Sequence, residues 1–527
     1  MKDENMSISS GRQKQAGVEE TPQFLPHRQI LVVLSGVAAG MLLAALDQSI
    51  VGTALPRIVS EVGGLDKLSW VVTAYLLTST GATPLWGKIS DLYGRRLIFQ
   101  SAIGIFLLGS VLAGLSQNIG ELIAFRAVQG LGGGGLMALA FAIIGDVVPP
   151  RERGRYQGYF AAVFGTSSVA GPLLGGFFTD GPGWRWIFWV NVPIGIVSLI
   201  VVSLALRMPV IRRDHKIDYL GATLIMAGVS CFLLYLDWAG NDYGWAAPIS
   251  LALLGGFLVL SALFVYVELR ASEPILPMRL FRNQIFAVGN AFGFLAGLAM
   301  FGGLIFLPVY LQAVEGMSPT RSGLALLPAV VGIFSTAITS GNLMTKTGRY
   351  RIFPIAGGIV LTVALWLLSL IRVDTPYWQV AIYAYAFGAG LGFTMQTITT
   401  AIQNAVDRTD MGVATSSATF FRSMGGAIGT AVLGSVLSSR LTHYMAEEFR
   451  GIPLPKGGAG IDVNDVQAIQ ALPLPIKEHV LHAFTNAMDD VFLAGIPFAA
   501  IAIVVSLFLK EIPLATRDNA GPPAGVG

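Results

Sequence analysis

Long apolar stretches dominate this chain and constrain its fold more than any other feature. A helix needs roughly 20 mostly apolar residues to cross a bilayer. Since backbone polar groups cannot stay unpaired in lipid, such stretches are predicted to be helices. Fourteen are found, over residues 29–55, 68–86, 98–116, 121–145, 157–178, 186–206, 218–238, 248–268, 285–312, 321–343, 353–371, 377–403, 412–437 and 488–509.

The composition excludes the other broad classes of protein. Of the 527 residues, 54% are hydrophobic and 12% are charged, whereas a soluble domain carries about 25% charged residues. A soluble enzyme or a disordered chain of this length would need more polar surface than that. The net charge of +3 is too small to indicate a nucleic-acid partner. The predicted fold class is therefore an all-α polytopic membrane protein, embedded in the lipid bilayer.

Lysine and arginine in the loops predict how the chain is oriented. With fourteen spans, both termini lie on one side. Seventeen Lys and Arg residues fall in the loops on that side and five in the short loops opposite. Because basic residues favour cytoplasmic loops, both termini are predicted to be cytoplasmic, in a multi-pass protein of the cell (plasma or inner) membrane.

A short internal repeat predicts the domain organisation. GKISDLYGRR (87–96) after span 2 matches GNLMTKTGRY (341–350) after span 10 at both glycines and the Gly-Arg pair. If the chain forms two six-helix bundles with two inserted helices between them, each loop follows the second helix of its bundle. The predicted domains are a disordered cytoplasmic tail 1–28, a first bundle 29–206, a linker with the inserted pair 207–284, a second bundle 285–510 that includes a partly helical external loop 439–487, and a cytoplasmic tail 511–527.

Five motifs, in order along the chain, carry a resemblance to a known family. They are LDQSIVGTALP (46–56), GKISDLYGRR (87–96), FRAVQGLGGG (125–134), GPLLGG (171–176) and WRWIFWVNVPIG (184–195). Together they resemble the drug/proton antiporter branch of the major facilitator superfamily with fourteen spans, over about residues 29 to 510. In the second-half loop, Thr345 replaces the aspartate, so a symmetric gating role for that loop is not expected.

The resemblance implies a function and a source of energy. We expect a multidrug efflux transporter that exports hydrophobic or cationic drug-like compounds by antiport with protons and contributes to antibiotic resistance. An alternative is export of one metabolite, antibiotic or lipid. No Walker motif is present, so the proton gradient is the expected energy source and no cofactor or metal is expected. An integral membrane enzyme is a remote alternative, since none of the five histidines lies inside a span. The sequence does not indicate whether a periplasmic adaptor is used.

Two charged residues inside the spans are predicted to couple transport to protons. Asp47 lies nineteen residues beyond Arg28, and burial in lipid makes its charged form costly. The alternative places it near the outer headgroups as a structural hydrogen-bonding group. Arg126 is predicted near the cytoplasmic start of span 4. The resemblance implies that its fixed charge acts on a nearby acid in one conformation; the alternative is an arginine that reaches the inner interface.

The loop after span 2 is predicted to form a gate. Asp91 can accept hydrogen bonds from the positive N-terminal end of the helix that starts near Gly412. The alternative is that these charges serve orientation alone. Arg422, inside span 13, is a further functional candidate, with Asp91 as its candidate partner. The full set of predicted gating residues is Gly87, Asp91, Gly94, Arg95, Arg96, Asp146, Arg153 and Arg422.

Two more groups complete the predicted site. Proline can kink a helix and small residues let a neighbour approach closely, so Gly171, Pro172, Gly175 and Gly176 are predicted to form a hinge or leak seal in span 5. A drug cavity needs an apolar lining with few polar anchors. The candidates are Tyr75, Thr78, Gln129, Asn290, Tyr310, Gln312 and Gln396.

Overall fold

The computed structural model describes residues 27–62, 67–206, 218–241, 243–450 and 472–514. This part of the chain is built from α-helices, as its apolar stretches predict. In the first part of the chain the helices are α1 (His27–Val62), α2 (Leu68–Tyr93), α3 (Arg95–Leu115), α4 (Ile119–Val147), α5 (Pro150–Asp180), α6 (Trp186–Trp189), α7 (Asn191–Ala205), α8 (Tyr219–Asn241) and α9 (Pro248–Glu268).

The second part of the chain continues in the same way. Its helices are α10 (Gln284–Ala313), α11 (Pro319–Ala325), α12 (Leu327–Thr347), α13 (Ile352–Leu368), α14 (Tyr377–Asn404), α15 (Met411–Glu448) and α16 (Leu474–Leu507), with 3₁₀ turns at Met278–Arg282 and Arg408–Asp410.

Every predicted span is helical, although span 6 is divided between α6 and α7 and span 10 between α11 and α12. Within the described ranges, eleven helices are long and apolar enough to cross a membrane, and Ile352–Leu368 is a shorter apolar helix. The remaining two, α2 and α14, are 26 and 28 residues long and carry several polar residues. The count of fourteen membrane spans stays a prediction.

Three boundaries differ from the predicted ones. Span 10 is interrupted at Leu326, where α12 begins beside a proline that cannot donate a backbone hydrogen bond. Both ends of the predicted loop 439–487 are helical, in agreement with the prediction that it is partly helical, because α15 runs on to Glu448 and α16 already starts at Leu474. Helix α1 begins at His27, inside the predicted tail, and residues 1–26 lie outside the described ranges.

The two parts of the chain repeat one pattern of helix packing. In the first half α2 packs on α4, α3 on α4, α1 on α5 and α1 on α7. In the second half α12 packs on α14, α13 on α14, α10 on α15 and α10 on α16. The halves meet where α2 packs on α15 and α5 on α12. The predicted domain limits themselves stay a prediction.

The inserted helices join the second half rather than standing apart. Leu224, Leu233 and Phe264 share a buried apolar cluster with Phe286 of α10. Helix α8 also packs on α2 and α15, so the pair covers one side of the seam between the halves.

Candidate functional site

A buried polar network surrounds Asp47 in the first half. Asp47 is 0% exposed and forms an ion pair with Arg126 of α4. The same carboxylate accepts hydrogen bonds from Gln129 Nε2 at 2.8 Å and from Asn191 Nδ2 at 3.3 Å. One acid therefore ties together α1, α4 and α7.

Arg126 is held by partners other than the acid as well. Its Nε donates to the carbonyl of Val71 at 3.2 Å, and its guanidinium donates to Gln129 Oε1 at 2.8 Å. The guanidinium carbon lies 4.3 Å from the centre of the Tyr75 ring, a cation–π contact. Since its side chain is 1% exposed, Arg126 is a buried paired charge. Its side chain does not extend to the membrane interface.

The predicted depth of Arg126 is wrong. Asp146, at the end of α4, contacts the loop that carries Arg95. Arg126 precedes Asp146 by 20 residues, which is about 30 Å along a helix. We call the end of the molecule that carries the loops 87–96 and 341–350 the loop face. Arg126 lies near the opposite end of α4.

The predicted contact of Asp91 with a helix start is present on the loop face. Its two carboxylate oxygens accept hydrogen bonds from the backbone N–H groups of Gly412 at 3.0 Å and Val413 at 2.9 Å. Arg95 lies 2.5 Å from the same carboxylate and donates to Asp146 at 2.6 Å. A side chain of the first half thus satisfies the open N–H groups of α15 in the second half.

Glycines allow the backbones to approach at this gate. A Cβ on Gly87 would overlap Ser416 Oγ and the carbonyl of Gly412. A Cβ on Gly412 would overlap Asp91 and Arg95 in turn. Gly94 has φ of 93°, a conformation that favours glycine, and links α2 to α3.

A second contact closes the loop face between α5 and α12. Gly154 and Gly341 pack backbone to backbone, and Arg151 donates to the carbonyls of Thr345 at 2.6 Å and Lys346 at 2.9 Å. The second-half loop, which lacks the aspartate, therefore contacts the first half through its backbone carbonyls. This reverses the chemistry of the Asp91 contact, in which the side chain accepts and the backbone donates.

The second half contains a small cavity near the seam. It is lined by residues of α10, α14 and α15, which are Gly289, Phe292, Gly293, Ala296, Thr394, Met395, Ile398, Thr399, Ala418 and Arg422. Arg422 lies ten residues beyond Gly412, about 15 Å along α15. The candidate pairing of Arg422 with Asp91 is therefore wrong.

Comparison with known proteins establishes the family. The family model of the Major Facilitator Superfamily matches residues 37–430. The chain belongs to this superfamily. Two proteins of Bacillus subtilis, multidrug transporter protein MdtP and multidrug resistance protein 3, are 35% and 34% identical, each over 92% of this chain and over 94% and 96% of their own lengths.

A solved structure supports the same fold. The human organic anion transporter MFSD10 is 14% identical and covers 90% of this chain and 100% of its own, with a TM-score of 0.58. The superfamily and these relatives are transporters, so this chain is a multi-pass membrane transporter of small molecules and not an enzyme.

The remaining predicted gating residues of the transporter lie outside the contact between its halves. Arg153 is 2% exposed and donates to the carbonyls of Val148 at 3.1 Å and Gly145 at 2.5 Å. It therefore joins the end of α4 to the start of α5, and its place in the Asp91 cluster stays a prediction. Arg96 is exposed on α3.

The predicted hinge residues lie in the second half of α5. Pro172 is inside that helix, which continues past it. A Cβ on Gly171 would overlap Ser49 of α1, and Ser49 donates to the carbonyl of Ser167 at 2.8 Å. The neighbour that approaches the glycine face is thus α1. Gly175 is buried and Gly176 is partly buried on the same stretch.

None of the seven predicted substrate residues lines the cavity beside Arg422. Tyr75 and Gln129 belong to the Asp47 network, and Thr78 donates to the carbonyl of Ala127 at 2.8 Å. Asn290 and Gln396 are 2% and 4% exposed and each adjoins a lining residue.

Tyr310 and Gln312 lie away from the middle of the transporter. Tyr310 donates to the carbonyl of Arg372 at 3.1 Å, in the loop after α13, and Gln312 donates to Ser322 at 2.9 Å. Both therefore lie at the end opposite to the loop face. A role in substrate binding stays a prediction for all seven.

Several contacting residues were not singled out from the sequence. Asn191 binds Asp47, and Gln403 donates to the carbonyl of Phe141 across the seam at 2.9 Å. Both are amides inside apolar stretches, where an uncompensated polar group is costly, and that signal could have found them. Nothing in the local sequence marks the contact of Arg151 with the second-half loop.

Proposed function

We propose that the chain exports drug-like hydrophobic compounds across the plasma membrane by antiport with protons. The observation that carries the proposal is the Asp47–Arg126 ion pair, fully buried between α1 and α4. Removing two charges from water is costly, and a buried ion pair adds little stability compared with well-packed apolar side chains in its place. A role in the transport cycle explains why this cost is borne.

Protonation of Asp47 would change the network without any other ligand. A neutral carboxyl group no longer attracts Arg126, so α1 and α4 are released from each other. Helix α1 packs along α5, and the start of α5 contacts the end of α12. Movement of α1 therefore has a direct path to the contact between the halves.

The gate at Asp91 supplies the second element that alternating access requires. Asp91 and Arg151 hold the two halves together on the loop face. In the proposed cycle these contacts break when the transporter opens toward that side. The excess of basic residues in those loops supports a cytoplasmic loop face with both termini on the same side.

The relatives support the export of drugs. Two of them are named for multidrug transport or resistance and match nearly the whole chain. That likeness extends the proposal to compounds of varied structure, with antibiotics among them.

The test uses purified protein in liposomes. A panel of neutral, cationic and anionic drug-like compounds is followed by flux, with an imposed pH gradient and with the gradient collapsed by a protonophore. We expect flux of at least one compound to follow the pH gradient and to stop when the gradient collapses. Flux that ignores the gradient for every transported compound would overturn proton antiport.

A further inference from the structure

Arg422 is a charge without a partner inside the second half. Among the described residues it forms no ion pair, hydrogen bond or cation–π contact, and it faces the cavity between α10, α14 and α15. Its side chain is partly buried. An unpaired guanidinium at this depth is costly, so it is expected to meet an anion at some point of its working cycle.

The walls of the cavity do not provide that anion. Its lining contains no Asp or Glu. The hydroxyls of Thr394 and Thr399 donate to carbonyls of their own helix, each at 3.0 Å. Phe292, Met395 and Ile398 supply apolar surface. One strong cationic donor in an apolar wall is the arrangement that orients an amphipathic molecule by its charged end.

A glycine leaves space beside Arg422. The nearest atom to a Cβ built on Gly293 is the carbonyl oxygen of Ala418 at 3.9 Å, so helix packing does not require glycine there. At Gly297, one turn further on, a Cβ would overlap the backbone of Arg422. The cavity has a volume of about 20 Å³, room for about one water-sized group. In this conformation the cavity is too small for the apolar body of a drug-like molecule.

We propose that Arg422 binds the anionic group, such as a carboxylate, of an amphipathic substrate, while the apolar body lies along the seam between the halves. A planar guanidinium can hold a carboxylate through two parallel hydrogen bonds. The proposal rests on the transport function proposed above and names its substrate class. It replaces the cationic preference expected from the sequence, because a fixed positive charge repels a cation.

Binding of a matched pair of probes tests this inference without any gradient. Dansyl-labelled undecanoic acid and its methyl ester differ in the negative charge, and their dansyl fluorescence is titrated against purified protein in detergent at neutral pH. The wild type is expected to bind the acid at least about tenfold more tightly than the ester, since charge-assisted hydrogen bonds are strong. Equal affinity for acid and ester would overturn the proposal.

Variants locate the effect at Arg422. Arg422→Met is expected to bind the acid as weakly as the ester, Arg422→Lys to keep part of the preference, and Arg349→Met, which removes an exposed arginine, to behave as the wild type. A loss in Arg422→Met that is equal for both probes would contradict the proposal. Gly293→Ala has room for its methyl group and should weaken binding of the acid more than binding of the ester. This variant provides a test if Arg422→Met does not fold.

A flux measurement separates this inference from the proposed function. If the ester moves with the pH gradient but the acid is not preferred, Arg422 does not select anions and proton antiport stands. If the acid is preferred but no flux follows the gradient, proton antiport fails and the anion site stands.

Discussion

The two halves of the transporter share one helix-packing pattern but distribute their charges differently. The first half pairs Arg126, a fully buried arginine, with Asp47, whereas Arg422 in the second half has no partner among the described residues. Likewise, Asp91 closes the seam with a carboxylate, whereas the matching loop uses the backbone carbonyl of Thr345. The repeat thus preserves a scaffold, and the chemistry differs between its two copies.

The largest effect is expected from Asp47→Asn. The variant cannot exchange a proton, so gradient-driven flux should be abolished. It also leaves Arg126 buried without its counter-ion, which costs about 3 kcal/mol or more of stability. Flux in liposomes and thermal unfolding in detergent measure the two effects.

A double variant separates coupling from stability. Asp47→Asn with Arg126→Gln removes both charges, so it should recover most of the lost thermal stability and still show no gradient-driven flux. Gradient-driven flux in either variant would remove Asp47 as the coupling residue and with it the proposed difference between the halves.

Asp91→Asn is expected to slow exchange several-fold more than it weakens substrate binding. The neutral amide loses the ion pair with Arg95 and much of its attraction for the start of α15. The matched change in the other half is Thr345→Val, whose hydroxyl donates within its own helix to Gly341. If Thr345→Val slowed exchange as much as Asp91→Asn, the two loops would not differ as described.

Gly87→Ala should hinder closure of the loop face. The added methyl group would overlap Ser416 and Gly412, so the population closed at this end should fall. Labels on the two halves at the loop face, read by distance spectroscopy, report that population. Gly104→Ala is the control, because nothing lies within 4 Å of its Cβ, and a shift of equal size there would contradict the steric explanation.

Arg151→Met is expected to have the smallest effect, roughly twofold on the rate of exchange, since hydrogen bonds to carbonyls near the surface contribute little net stability. Initial rates of flux compared with the wild type measure it. A loss larger than that of Asp91→Asn would make the second-half loop the stronger closure and reverse the comparison.

Much of the fold could be predicted from the sequence. Every predicted span is helical, and the predicted contact between Asp91 and the helix start at Gly412 is present. Both inferences rest on local features, which are the length of an apolar stretch and the place of a helix N-terminus on the loop face. The predicted depth of Arg126 is wrong because the spans alternate in direction, so that α4 ends at the loop face and starts, near Arg126, at the opposite end.

Which side chains meet inside the bundle was decided by the tertiary structure. Apolar character is a property of each segment of about 20 residues, so the sequence alone determines the helices and their order. Each residue, however, turns about 100° around its helix, and the packing of other helices fixes that rotation. That rotation pairs Asp47 with Arg126, 79 positions away, and leaves Arg422 facing a cavity, although both arginines look alike in the sequence.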